Sequence, residues 1–235
     1  MRANLGPSVD LDFLDGYLFR LIQEIAEKQG LELTGFYNYY DYRLRHRIGG
    51  LIEYEAELAR FLLDGYAGRH IVHAGTGIGV LPCALACNGM SVTAVDGDTR
   101  RLRSAQHLRA VVAKTWPEVT ARYRLLGGNF PNAMTEGRGW RGRRRVRVEL
   151  DRRSVLVFTN VVTTWGDRLE AAIFAALPTF AETLLDLRNF GATREDANDR
   201  DVLFARIAAG ARFAERLPSV SSSIDLARFV FAEPA

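Results

Sequence analysis

The chain has 235 residues, 48% of them hydrophobic and 25% charged, with a formal net charge of +3. That length fits one large globular domain or one domain with a modest extension, and the balance suits a soluble protein able to bury a two-sided sheet core. Apolar runs such as Ser154–Val162 are too short to cross a bilayer, and no basic stretch precedes an apolar core at the amino terminus, so a cytoplasmic protein without a membrane partner is expected.

The first element is helical. Phe13, Leu14, Tyr17, Leu18, Leu21, Ile22 and Ile25 recur at three- and four-residue steps, which lays one apolar stripe along a helix that stops near Gly30. An aromatic stretch, Phe36 to Tyr42, follows. A second helical pattern carries Leu51, Ile52, Tyr54, Leu58, Phe61 and Leu62 and ends near Gly65. Residues 1–66 thus read as a helical extension or lid, and 67–235 as the main domain.

After Gly68 the rhythm changes to short apolar runs alternating with helical patterns. Strands are expected at 71–74, 91–95, 123–126, 155–159 and 183–187, and helices near 80–87, 100–113, 167–177 and 196–209. Such alternation argues for a doubly wound α/β fold, a parallel sheet covered by helices on both faces. The last two strands, 212–217 and 226–231, are separated only by Pro218 and a serine-rich turn, so they pair antiparallel. Cys83 and Cys87, four apart on the helix at 80–87, read as buried, reduced packing residues; two cysteines without a nearby histidine make no metal site.

The most informative stretch runs from Arg69 to Asp96. A strand enters a turn with glycine at 75, 77 and 79, then a helix with Pro82 in its first turn, where proline is tolerated. The next strand ends at Asp96, about twenty residues beyond Gly75. Backbone without Cβ atoms lets a ligand approach closely, and an acid at that strand end can hold ribose hydroxyls. A dinucleotide fingerprint wants a small residue at position 80, where this chain has Val80. The Gly-x-Gly-x-Gly spacing instead resembles motif I of class I S-adenosylmethionine (SAM)-dependent methyltransferases, over residues 69 to the end.

The resemblance implies a seven-stranded, mostly parallel sheet closed by an antiparallel hairpin, with SAM as cofactor. It places His73, Gly75, Thr76, Gly77, Gly79, Asp96 and Gly97 around the cofactor. Gly127-Gly128-Asn129-Phe130 is similar to the family's segment near the adenine, with the Asn129 amide facing the base and Phe130 packing on it. Asn160, after the fourth parallel strand, stands where the family frames the methyl and the acceptor; a structural role at the strand end is the other reading. One position departs from the pattern: members carry Asp or Glu two residues before the first glycine, and here that residue is His73. Either another acid takes that role, or affinity is lower, or catalysis is lost.

Methyl transfer demands little beyond in-line positioning of the acceptor and exclusion of water, and no catalytic base is evident. Tyr37 and Tyr40, with Arg43 nearby, are candidates to line an acceptor site beneath the helical extension; packing of the extension is the alternative for the aromatics. A small-molecule acceptor is the leading expectation. Against it stand a non-catalytic binding protein, favoured by His73, and an RNA or protein methyltransferase, favoured by the arginine run 138–153. Nucleic acid is the less favoured partner, because among 31 basic residues only Lys28 and Lys114 are lysine, a skew that coding bias in a GC-rich genome accounts for.

Overall fold

The computed structural model describes residues 9–29, 49–51, 53–136, 138–139, 154–159, 167–188, 197–220 and 224–231. Two helices lead the chain, α1 (Leu11–Gln29) and α2 (Glu53–Gly65). The sheet region then runs β1 (His70–Ala74), α3 (Val80–Cys87), β2 (Ser91–Asp96), α4 (Thr99–Thr115), α5 (Val119–Arg122), β3 (Tyr123–Gly127), α6 (Asn132–Glu136) and β4 (Arg138–Gly139). It continues with β5 (Val155–Phe158), α7 (Asp167–Ala176), β6 (Glu182–Asp186), α8 (Ala197–Ala208), β7 (Phe213–Arg216) and β8 (Leu226–Val230).

The strand order is β4-β3-β2-β1-β5-β6-β8-β7. Apart from β4, a two-residue piece antiparallel to β3, this is a seven-stranded sheet with five parallel strands and an antiparallel hairpin. The expected α/β architecture is present, with strand and helix bounds shifted by a residue or two at most. The hairpin inserts β8 between β6 and β7, so the last strand in sequence is not the edge of the sheet.

Alternation along β1 sends its apolar residues to both faces of the sheet. Ile71 belongs to one buried cluster, Val72 and Ala74 to another on the opposite face. Parallel strands covered on both sides have no wet face to mark with polar residues. The first cluster gathers α1 through α5: Leu14 and Leu18 of α1 and Leu58 and Leu62 of α2 are fully buried together with Leu81 and Leu85 of α3 and Leu108 of α4. The second is built from Leu126, Leu156, Phe158, Leu185 and Phe229 of the strands against Ile173 of α7 and Leu203 of α8.

At the amino-terminal end of the strands an ionic group ties distant elements together. The buried Glu182 carboxylate accepts from Tyr66 Oη (3.0 Å), from Arg228 Nε (2.7 Å) and from Arg69 Nη1. Burial alone would raise the Glu182 carboxyl, but the hydrogen bonds from Arg69 and Arg228 outweigh it and hold the group below its ordinary range. Cys83 and Cys87 are free and buried, and among the described residues no group of acids, histidines and cysteines could hold a metal ion.

Candidate functional site

In a doubly wound sheet the ligand crevice opens at the carboxyl ends of the strands, where the strand order reverses direction. Here the reversal falls between β1 and β5, the neighbours from which the sheet grows both ways. The chain leaves β1 through Gly75 (φ +73°), Gly77 (φ +60°) and Gly79 (φ +78°) and enters α3 directly. Each of the three occupies the left-handed region that costs an L-residue about 1–2 kcal/mol.

Hydrogen bonds pin this loop to β2. The N–H groups of Gly75 and Thr76 both donate to the Val95 carbonyl, at 2.8 and 3.1 Å, and Gly79 N–H donates to the Thr76 carbonyl at 3.0 Å. Asp96, the last residue of β2 and only 4% exposed, completes the attachment. Its Oδ2 accepts from Gly77 N–H and its Oδ1 from Asp98 N–H, both at 2.8 Å. Burial pushes the Asp96 carboxyl up; those two N–H groups and the Arg101 guanidinium, 3.9 Å away, oppose the rise. Asp98 in turn caps α4, accepting from Arg100 N–H at 2.8 Å. A carboxylate offers roughly four acceptor sites, so Asp96 can brace the loop and still accept from ribose hydroxyls.

The third glycine has a separate reason to be glycine. A Cβ on Gly79 would collide with the Tyr123 hydroxyl from β3 and press on Ala105 of α4. Gly97 has a similar constraint, since a Cβ there would strike Oδ1 of Asn129. The loops after β2 and β3 therefore meet at Gly97 and Asn129, and Gly128 N–H reinforces the junction by donating to the Asp96 carbonyl at 3.0 Å. Asn129 is exposed, whereas Phe130 is buried. The Phe130 ring sits in the second core cluster with ring centres 6.0 Å from both Phe158 and Phe180, so it supports the loop from within the core.

His73 lies on β1 beside Ala94 and Val157. It is almost fully buried, with Nδ1 3.3 Å from the Thr76 hydroxyl and no hydrogen-bond partner for Nε2. Burial pulls its pKa down to about 4, so the imidazole is neutral at neutral pH. A second buried polar atom without a partner, Thr159 Oγ1, follows the end of β5 two residues past Val157. The sequence reading missed Thr159. The alternation Val155, Val157, Thr159 was the available signal, because it puts Thr159 on the face of the sheet that carries His73.

The fold thus brings His73, Gly75, Thr76, Gly77, Gly79, Asp96, Gly97 and Asn129 to one edge of the sheet. These groups fit a nucleoside with an amino-acid tail: backbone turns without side chains, a carboxylate with unused acceptor sites, and an imidazole nitrogen without a partner. Asn160, Tyr37, Tyr40 and Arg43 lie outside the described residues, as does nearly all of the arginine run 138–153.

No protein-family model matches the chain, and no curated protein matches it. Solved structures do. An O-methyltransferase from Bacillus cereus, in complex with SAH, superposes with a TM-score of 0.56 at 12% identity, over 91% of this chain and 90% of that one. The methyltransferase domain of bacterial CtHen1-C gives 0.51 at 14% identity, over 77% and 98%. The delta-N METTL16 methyltransferase domain gives 0.51 at 12% identity, over 95% and 97%. The chain has the class I SAM-dependent methyltransferase fold.

Proposed function

We propose that this chain binds SAM at the glycine loop and transfers its methyl group to a small-molecule acceptor. The observation that carries the reading is the Asp96 carboxylate, which stands at the carboxyl end of β2 against Gly77 N–H with acceptor sites to spare. Fold likeness to structures named as methyltransferases supports it. SAM supplies an activated methyl on a sulfonium centre, so the protein's work is placement. Asp96 and Gly97 hold the ribose side, Asn129 meets the adenine edge, and Gly75 and Gly77 let the backbone pass close to the cofactor. Phe130 keeps that loop in place from the core. Positioning of an acceptor in line can remove roughly 7–11 kcal/mol of barrier. Residues 1–66 are the candidate lid, and Tyr37, Tyr40, Arg43 and Asn160 are the residues whose substitution tests acceptor binding.

A second reading, SAM binding without turnover, is favoured by one observation. The neutral His73 stands where a carboxylate would give the cofactor's ammonium a charge-assisted bond, worth about 1.5–3 kcal/mol. Titration calorimetry of the full chain with SAM and with NAD tests the cofactor. Saturable SAM heat is expected, and NAD binding without SAM binding overturns both readings. A methyl-transfer screen across hydroxyl, amine and thiol metabolites then separates enzyme from binder.

A further inference from the structure

We propose that the outer face of α4, with the aromatic group at its carboxyl end, is a docking surface for single-stranded nucleic acid. The helix carries Arg100, Arg101, Arg103, Arg109 and Lys114 and not one acidic residue. By contrast, α1 and α2 hold Asp12, Asp15, Glu24, Glu27, Glu53, Glu55, Glu57 and Asp64 against Arg20, Lys28 and Arg60. A preference for arginine over lysine along the whole chain does not by itself produce this difference in charge between α4 and the two leading helices.

Three of the five cations are engaged by the protein. Arg100 and Arg101 turn to Asp98, and Arg109 donates to the Thr120 carbonyl at 2.7 Å while lying over the Tyr123 ring. Arg103 and Lys114 are exposed, and among the described residues neither forms an ion pair. Exposed His107 stands between them. Steps of four and seven residues put the three side chains on one line, about 16 Å long at 1.5 Å per residue.

That line ends at aromatic rings. Phe13 of α1 is 56% exposed and stacks on Tyr17, with centroids 6.5 Å apart and planes at 16°. Tyr17 meets Trp116 edge-on at 5.1 Å, and its hydroxyl lies 3.1 Å from Thr115 Oγ1, next in the chain to Lys114. Of the acids near Phe13, Asp12 is held by Arg60 at 2.9 Å, exposed Asp10 accepts from Asp12 N–H at 2.8 Å and Asp15 accepts from Leu51 N–H at 2.6 Å; the exposed Glu118 lies beyond Trp116. Two unpaired cations about 16 Å apart suit separate phosphates along one strand, and an open ring suits an unstacked base. A duplex keeps its bases inside and would leave Phe13 unused. The surface is independent of the cofactor cradle and of the acceptor's identity.

The test is fluorescence anisotropy of a short fluorescein-labelled RNA of mixed sequence without self-pairing, titrated with the full chain over a range of salt. Binding is expected at low salt, weakening steeply as salt rises. Arg103→Glu with Lys114→Glu should raise Kd at least tenfold and flatten the log–log salt slope by about 1.4, near 0.7 for each phosphate no longer neutralised. Phe13→Ala should raise Kd about tenfold and leave the slope unchanged. Unaltered thermal unfolding and SAM affinity in these surface variants show that the fold is intact, and they keep this proposal's failure separate from that of the methyl-transfer reading. No binding by the wild type, equal binding with an equal slope in the double variant, or equal affinity for a duplex of the same length would each overturn it.

Discussion

Asp96 gives the sharpest prediction, because its two oxygens serve two different N–H groups. Asp96→Ala removes both acceptors at once. Gly77 is buried, so its orphaned N–H costs the upper part of the range of about 1–3 kcal/mol for a buried donor. Asp98 N–H is only part-buried and reaches water, so its loss costs less. Together they lower stability by about 2–4 kcal/mol. Asp96→Asn keeps one acceptor oxygen, and in either amide orientation one N–H then faces an NH2 group, for a loss of about 1–2 kcal/mol. Urea unfolding followed by fluorescence reads this as a midpoint falling in the order wild type, Asn, Ala at constant m-value. Calorimetry on the same proteins, run where all are folded, should show weaker SAM binding in both variants. An unfolding free energy for Asp96→Ala within about 0.5 kcal/mol of the wild type refutes the brace. A lowered midpoint with unchanged SAM affinity refutes the ribose contact and leaves Asp96 a purely structural residue.

Two further outcomes follow from packing and from charge. Gly79→Ala should destabilise by about 2–4 kcal/mol, from a left-handed backbone and a clash with the Tyr123 hydroxyl, while Tyr123→Phe, which removes a buried hydroxyl without a partner, should be neutral or mildly stabilising. The double variant should recover the steric part alone, so additive melting shifts would show that the two side chains do not meet. With pH, His73 and Glu182 act in separate windows. The folded His73 is depressed from 6.5 to about 4, so the unfolded chain takes up its proton first and stability drains away between those values as pH falls. Glu182 is depressed too, so its share persists above its ordinary value of 4.5 and is lost as pH falls through the folded value. Thermal melts of His73→Leu should lose the upper window and those of Glu182→Gln the lower; a wild-type melting temperature flat from about pH 6.5 to about 4 would contradict the buried neutral imidazole.

Local physics made most of the fold legible in the residues. Short apolar runs alternating with helical patterns announced seven strands, three- and four-residue steps announced the long helices, and the short link through Pro218 forced an antiparallel pair. The spacing of Gly75, Gly77 and Gly79 marked the turn after β1 that Asp96 braces, because a backbone needing positive φ is built most readily from glycine. Short elements such as α5, α6 and β4 left no such mark; two to five residues are too few to establish a period.

Other features belong to the tertiary structure alone, since they depend on partners distant in sequence. Gly79 and Gly97 are glycine for Tyr123 and Asn129, side chains that only sheet formation brings to them. Phe130 reads like Asn129 as a loop residue, yet one is sealed against Phe158 and Phe180 and the other meets solvent. The neutral state of His73 follows from its burial between β2 and β5. Periodicity fixes which way a side chain points; what it meets there is settled only when the layers close.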